Sequence, residues 1–94
     1  MDVKQFKQSV IEKKKPVSIS PSLQSLWWEA CGDWKKAHDV LQGLSDEEGA
    51  WIHAYLHRKE GELSNANYWY ARAKKEMPEY SLREEWSHLV DKFL

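Results

Sequence analysis

Two histidines four residues apart, in the segment HAYLH at residues 53–57, are the first candidates for chemistry in this chain. On an α-helix this spacing places His53 and His57 one above the other on the same face. It is the spacing with which one helix offers two imidazoles to a single metal ion. His38 lies on the apolar stripe of the preceding predicted helix, and it faces the pair if the two helices are neighbours. The pattern therefore raises the hypothesis of a divalent metal site, with zinc as an ion that such ligands suit.

Two other roles are open for the same histidines. The zinc-protease pattern HExxH carries a glutamate directly after its first histidine, whereas Ala54 occupies that position here. An imidazole on a packed helix can also serve the structure by hydrogen-bonding a neighbour, or it can act as an acid or base. Structural, metal-binding and acid–base roles are thus alternatives, and Glu60 is a further candidate ligand for the metal alternative.

A second group of candidates lies on another side of the same predicted helix. Trp51, Tyr55 and Arg58 fall together on a helical wheel. Aromatic rings beside a guanidinium are typical of surfaces that bind a peptide or a partner helix. The alternative is that the terminal helices cover these side chains.

The composition narrows the class of protein. The 94 residues carry a net charge of −1, so no overall positive field attracts nucleic acid. The single Cys31 excludes an internal disulfide and suits a reducing compartment. No apolar run approaches the roughly 20 residues that span a bilayer, and the N-terminus lacks the apolar centre of a secretory signal. We therefore expect one cytoplasmic, soluble domain with no membrane partner.

Apolar residues recur at helical spacing in every segment, and none shows the alternation of a strand, which predicts an all-α fold of five or six helices. Ser20 is a predicted N-cap, and Ser45 and Ser81 each begin a predicted capping box. The next-to-last helix is expected to run from Ser64 to about Met77. The predicted division of the chain is an N-terminal helix and connector (1–19), a first helix pair (20–44), a second helix pair (45–78) and a C-terminal capping helix (79–94).

The two predicted helix pairs are related by an internal repeat. Gly32 matches Gly61, 29 residues later, and Ala37 matches Ala66 at the same spacing. Each unit is a helix, a glycine break and a second helix with a small residue where the two helices cross. Glycine accepts the left-handed conformation that commonly ends a helix, which explains its place at the break.

The second unit resembles a tetratricopeptide repeat. The residues that carry the resemblance are Ala54, Gly61, Ala66, Tyr70, Ala73 and the closing Pro78. The first unit keeps Gly32, Ala37 and Leu41 but lacks the proline, and the spacing of 29 is shorter than the roughly 34 residues of the family. The resemblance covers residues 21–78. It implies antiparallel helix pairs with flanking helices, a groove lined by the positions of Trp51, Tyr55 and Arg58, and a protein or peptide partner.

The chain also resembles a group of short bacterial proteins without an assigned function, and that similarity implies no activity. There is no glycine-rich phosphate loop and no nucleophile elbow, so no motif names a reaction. Six tryptophans and four tyrosines on so small a body favour an exposed apolar patch. We therefore expect a protein-interaction module that forms a homo-oligomer, such as a homodimer. The alternative function is a small metal-binding protein or enzyme centred on His53 and His57.

Overall fold

The computed structural model describes residues 1–44 and 46–94, and within these ranges it contains six α-helices and no strand. The helices are α1 (Val3–Ile11), α2 (Pro21–Ala30), α3 (Trp34–Leu41), α4 (Glu47–Lys59), α5 (Leu63–Arg72) and α6 (Leu82–Phe93). The all-α prediction is confirmed. None of these six helices has the length and apolar character needed to cross a membrane.

Five of the six helices begin at a short polar side chain that caps them, and α5, which follows Glu62, has no such cap. Ser20, Asp33 and Ser81 each accept a hydrogen bond from the backbone N–H three residues further on, at 3.2, 3.0 and 3.1 Å. These bonds satisfy N–H groups that have no partner within the helix. The predicted capping box that begins at Ser45 lies outside the described residues, and α4 is capped by Asp46, which accepts from the Gly49 N–H at 2.9 Å.

The two repeat units share one turn geometry. Gly32 and Gly61 have φ angles of 88° and 80°, which side chains other than glycine rarely adopt. In the first turn the Asp33 N–H donates to the Trp28 carbonyl at 2.9 Å, and in the second the Glu62 N–H donates to the His57 carbonyl at 3.0 Å. Both are Schellman turns, which satisfy carbonyls left over at a helix end. The 29-residue repeat in the sequence therefore corresponds to two equivalent breaks between helices.

The prediction that α5 extends to about Met77 is wrong, because the helix ends at Arg72. Lys74 adopts a left-handed φ of 59°, and the Lys75 N–H donates to the Tyr70 carbonyl at 2.9 Å. This is the same kind of turn as at the two glycines, but with a lysine in the left-handed position. Since lysine rarely adopts the left-handed conformation, the sequence contains no signal that the helix ends as early as Arg72.

The core is built around α4, which contacts α2, α3, α5 and α6. The most extensive contacts join α2 to α3 and α4 to α5, so each repeat unit folds back on itself. Ala37, Ala54 and Ala66 are fully buried, as expected where helices approach closely. The larger buried core side chains are Phe6, Leu23, Leu26, Trp27, Leu41, Trp51, Ile52, Tyr55, Leu56, Tyr70, Trp86, Leu89 and Val90.

The terminal helices pack on the side of α2 and α4 that α3 and α5 leave open. The Trp86 indole of α6 donates to the Leu26 carbonyl of α2 at 3.1 Å, and its ring lies 5.8 Å from the Phe6 ring of α1. The Trp27 indole donates to the Ser9 hydroxyl at 3.1 Å, which ties α1 to α2. Helices α1 and α6 therefore cover one side of the two repeat units.

Candidate functional site

The structure brings the three predicted histidines together. His38 of α3 lies with its ring centroid 5.6 Å from that of His53 and 5.4 Å from that of His57, both in α4. The centroids of His53 and His57 are 6.4 Å apart, one helical turn along the same face. Glu60, the further candidate ligand, is exposed at the C-cap of α4. The contact between α3 and α4 is what places His38 beside the pair.

The ring nitrogens of this cluster are only partly hydrogen-bonded. His57 Nδ1 lies 3.0 Å from a carboxylate oxygen of Glu62. His38 Nε2 and His53 Nδ1 are buried and have no hydrogen-bond partner among the described residues. Buried polar atoms without a partner are uncommon in proteins and leave room for an additional ligand or water.

Burial is the main influence on the protonation of two of these histidines. It lowers the pKa of His38, and the nearby His57 lowers it further. Burial, with the neighbouring imidazoles of His38 and His57, lowers the pKa of His53 to about 4. Both rings are therefore neutral at neutral pH, each with one nitrogen that can only accept.

The ligand geometry for a metal is incomplete. Among residues 1–44 and 46–94, no three His, Cys, Asp or Glu side chains are placed so that they hold a metal ion. Zinc requires imidazole nitrogens at about 2.0–2.1 Å from a common point. The three rings are near one another, but binding at His38, His53 and His57 would require rotation of their side chains.

The histidines are the middle of a longer row of rings. The Trp34 ring lies 3.7 Å from that of His38, and the Trp69 ring is stacked on His53 at 4.3 Å. Tyr68 meets Trp69 edge-on at 5.3 Å. Trp34 is 39% exposed and Tyr68 is 55% exposed, so the row reaches solvent at both ends. We call this surface the aromatic–histidine face, comprising Trp34, His38, His53, His57, Tyr68, Trp69 and Arg72.

Opposite charges lie at the two ends of this face. The guanidinium of Arg72 lies 5.1 Å from the Trp69 ring centroid, at the C-terminus of α5. Glu62 lies at the N-cap of α5, and its carboxylate, with those of Asp39 and Glu60, partly offsets the lowering of the His38 pKa by burial. Because Glu62 precedes α5 and Arg72 ends it, about 15 Å of helix separates the two charges.

The second group of predicted binding residues has a different environment. Trp51 and Tyr55 are buried, and the Arg58 side chain is 14% exposed. The carboxylate of Glu85, on α6, accepts from the Trp51 indole at 3.1 Å and from Arg58 at 2.9 Å. In this structure Trp51 and Arg58 hydrogen-bond the protein's own terminal helix, and the Tyr55 hydroxyl donates to Glu29 of α2.

Two buried glutamates were not identified from the sequence. Glu85 is fully buried and, besides Trp51 and Arg58, accepts from the Tyr70 hydroxyl at 2.6 Å. Glu29 pairs with the Lys59 ammonium and accepts from the Tyr55 hydroxyl at 3.4 Å. Burial raises the pKa of both tyrosines, with their glutamate neighbours adding to the effect. The only available signal was that Arg58 and Tyr70, if buried, would need an acidic partner.

The polar clusters of the described residues thus lie in two different settings. The carboxylates of Glu29 and Glu85 are buried and pair with neighbouring side chains. The aromatic–histidine face is open at Trp34 and Tyr68. No family model, curated protein or solved structure matches this chain.

Proposed function

We propose that this protein is an interaction module that associates with a second copy of itself through the aromatic–histidine face. The observation that carries the proposal is the continuous row of rings that is exposed at Trp34 and Tyr68. Tryptophan, tyrosine and arginine are the residue types that contribute most to binding energy at protein interfaces. The row ends beside Arg72, so all three types lie on one surface.

The charge distribution favours a second copy as the partner. In a two-fold dimer the same patch is used on both subunits, so that residue i contacts residue j and j contacts i. Arg72 lies at one end of α5, and Glu60 and Glu62 lie near the other end. A two-fold axis through the face then places Arg72 of each copy near Glu60 and Glu62 of the other, so opposite charges meet in two places. The face is therefore complementary to itself in charge as well as in the type of its side chains.

We also propose that the helix pairs are a tetratricopeptide-like scaffold in a cytoplasmic protein. The equivalent Schellman turns at Gly32 and Gly61 support repeated helix pairs. The single Cys31, which has no partner for an internal disulfide, supports a reducing location. Helix α6 packs against α2 and α4, and the aromatic–histidine face is exposed at Trp34 and Tyr68, which supports that face as the surface for a partner.

The proposal is tested by measuring the mass of the protein by light scattering after size exclusion, from about 1 µM to about 1 mM. We expect the mass to rise from monomer to dimer across this range. Trp34→Ala and Tyr68→Ala should each weaken the dimer by at least about ten-fold, since they remove the large aromatic side chains that the face exposes. Tyr80→Ala is the matched control, because Tyr80 is 37% exposed near the start of α6, outside the face.

Charge variants test the two-fold arrangement. Arg72→Glu and Glu60→Arg should each weaken the dimer, and the double variant should recover it. A strict monomer at the highest concentration would overturn self-association. An unchanged dimer in the Trp34, Tyr68 and Arg72 variants would overturn the use of this face.

A divalent transition metal at His38, His53 and His57 is a second candidate function. It is favoured by the two buried ring nitrogens that have no partner among the described residues. The contact between Glu62 and His57 Nδ1 has the form that orients metal-binding histidines in other proteins. Titration with zinc or nickel should then raise the melting temperature and bind one ion per chain, and His57→Ala should abolish both effects while His88→Ala keeps them. No heat of binding and an unchanged melting temperature would exclude this candidate.

A further inference from the structure

A cleft of about 580 Å³ lies among α1, α2, α4 and α6, on a different surface from the aromatic–histidine face. Its lining residues come from all four of these helices, so the packing of the terminal helices on the repeat units creates it. Clefts of roughly 300–1,000 Å³ are the usual size of sites for small molecules.

One part of this cleft is apolar. Its apolar lining consists of Val10, Ile11, Ala30, Leu82 and Trp86. Ile11 is 72% exposed, so a large aliphatic side chain stands at the edge of the cleft in contact with water. Covering such a surface with a hydrocarbon chain is favourable by about 25 cal/mol per Å² of apolar area removed from water.

The charged part of the cleft is mainly cationic. Lys7, Lys59 and Arg83 line it, against a single acid, Glu29. The charge of Glu29 is already compensated, because its carboxylate pairs with Lys59 and accepts from the Tyr55 hydroxyl. Lys7 and Arg83 therefore have no acidic counterpart within the cleft. This local positive charge contrasts with the net charge of −1 of the whole chain.

We propose that this cleft binds a single-chain anionic amphiphile, with its carboxylate or phosphate head near Lys7 and Arg83 and its hydrocarbon chain against Trp86 and Ile11. The head is recognised by charge, which is the complementarity that the cleft offers. The apolar lining provides the remaining affinity. Tyr55 stays a neutral hydroxyl, because burial raises its pKa, and Glu29 keeps Lys59 in place.

The test is a titration of the full chain with sodium decanoate below its micellar concentration, followed by tryptophan fluorescence and calorimetry. Since Trp86 lines the cleft, we expect saturable binding of one molecule with a change in its emission. Decyltrimethylammonium and decyl glucoside have a hydrocarbon chain that is one carbon longer and no negative charge, and they should bind at least about ten-fold more weakly.

Lys7 and Arg83 are both exposed, so they can be replaced without disturbing the core. The double variant Lys7→Gln with Arg83→Gln should weaken decanoate binding at least about ten-fold, as expected for the loss of two charged contacts. Lys35→Gln is the matched control, since the Lys35 side chain is 86% exposed on α3, outside the cleft. Circular dichroism checks that all variants remain folded.

Three outcomes would overturn the proposal. These are equal affinity for the anionic, neutral and cationic probes, binding that does not saturate, and unchanged binding in the double variant. Co-sedimentation with anionic phospholipid vesicles in the absence of saturable decanoate binding would show that the charged patch meets a lipid surface and not a free amphiphile. Decanoate binding should be the same in Arg72→Glu, so failure of this inference is distinguishable from failure of the proposed self-association.

Discussion

Glu85 is the most deeply buried charged side chain in the described part of the chain. Removing a carboxylate from water is costly unless several donors replace the lost hydration. Here the Trp51 indole, the Arg58 guanidinium and the Tyr70 hydroxyl all donate to it. A single residue of α6 therefore joins the terminal helix to both α4 and α5.

We expect Glu85→Ala to lower the free energy of unfolding by about 3–5 kcal/mol, because it removes a fully buried carboxylate and leaves the partly buried Arg58 without its counter-charge. Urea denaturation followed by circular dichroism measures the change. Asp91→Ala is the control, since Asp91 is exposed on α6 and should change stability by no more than about 0.5 kcal/mol. Equal effects of the two substitutions would contradict this account of Glu85.

His53 should make stability depend on pH. Its pKa is about 4 in the folded protein against an ordinary value of 6.5, so between these values the unfolded chain binds more protons. The stabilisation is complete above pH 6.5 and is lost as the pH falls towards 4. The lowered pKa of His38 acts with the same sign.

The corresponding measurement is the melting temperature at about pH 7.5 and about pH 5. The fall between the two should be smaller in His53→Gln than in the natural chain, because that variant lacks the titrating group. His88→Gln, on the exposed side of α6, should keep the natural pH dependence. If His53→Gln shows the full natural fall, His53 does not contribute to it.

At the level of the elements, the first turn of α4 lies very close to the preceding residue Leu44. Gly49 lies in its first turn, and a Cβ placed there would meet the Leu44 carbonyl oxygen at 2.6 Å and the Leu44 Cβ at 2.8 Å. Such distances require the backbone before α4 to shift. Glycine is therefore needed at position 49 because a side chain would overlap Leu44, and not because the position has a positive φ.

Replacing a helical glycine by alanine ordinarily stabilises a protein by about 1 kcal/mol. For Gly49→Ala we expect the opposite sign, a loss of about 1–3 kcal/mol, because the added methyl group overlaps Leu44. Gly43→Ala is the matched control, since nothing lies within 4 Å of its added Cβ, and it should be neutral or slightly stabilising. Chemical denaturation of both variants decides between the two signs, and a stabilised Gly49→Ala would disprove the predicted clash.

For the whole molecule, the C-terminal helix α6 adds a second connection between the two repeat units. In repeat proteins each unit contacts only its neighbours, which permits stepwise unfolding. Here α6 contacts both α2 and α4, and the hydrogen bond from Trp86 to Leu26 spans 60 residues. The two units are thus held together by a third element as well as by each other.

We therefore expect one cooperative unfolding transition, with coincident midpoints by far-ultraviolet circular dichroism and by tryptophan fluorescence. Fluorescence reports on both repeat units and on α6, because the tryptophans are Trp27, Trp28, Trp34, Trp51, Trp69 and Trp86. Separate midpoints for the two probes would mean that the units unfold independently.

Much of the local structure is predictable from the sequence, since its causes are local. Ser20 and Asp33 cap helices because their oxygens reach the N–H groups three residues on, and Gly32 ends one because it accepts a positive φ. The end of α5 was not predictable, because Lys74 takes a conformation that its residue type seldom adopts. Helical spacing also placed His53 and His57 on one face, as a property of the helix alone.

The sequence by itself determined that the chain is helical, the breaks at Gly32 and Gly61, and the faces on which the candidate residues lie, because these depend on interactions within about four residues. Only the tertiary structure decided that His38 meets His53 and His57, and that Glu85 covers Trp51 and Arg58. Those contacts join residues 15 to 34 positions apart, and they depend on how whole helices pack. The physical reason is that a helical wheel gives the direction of each side chain about its own axis, whereas burial and partners depend on which other helix occupies that side.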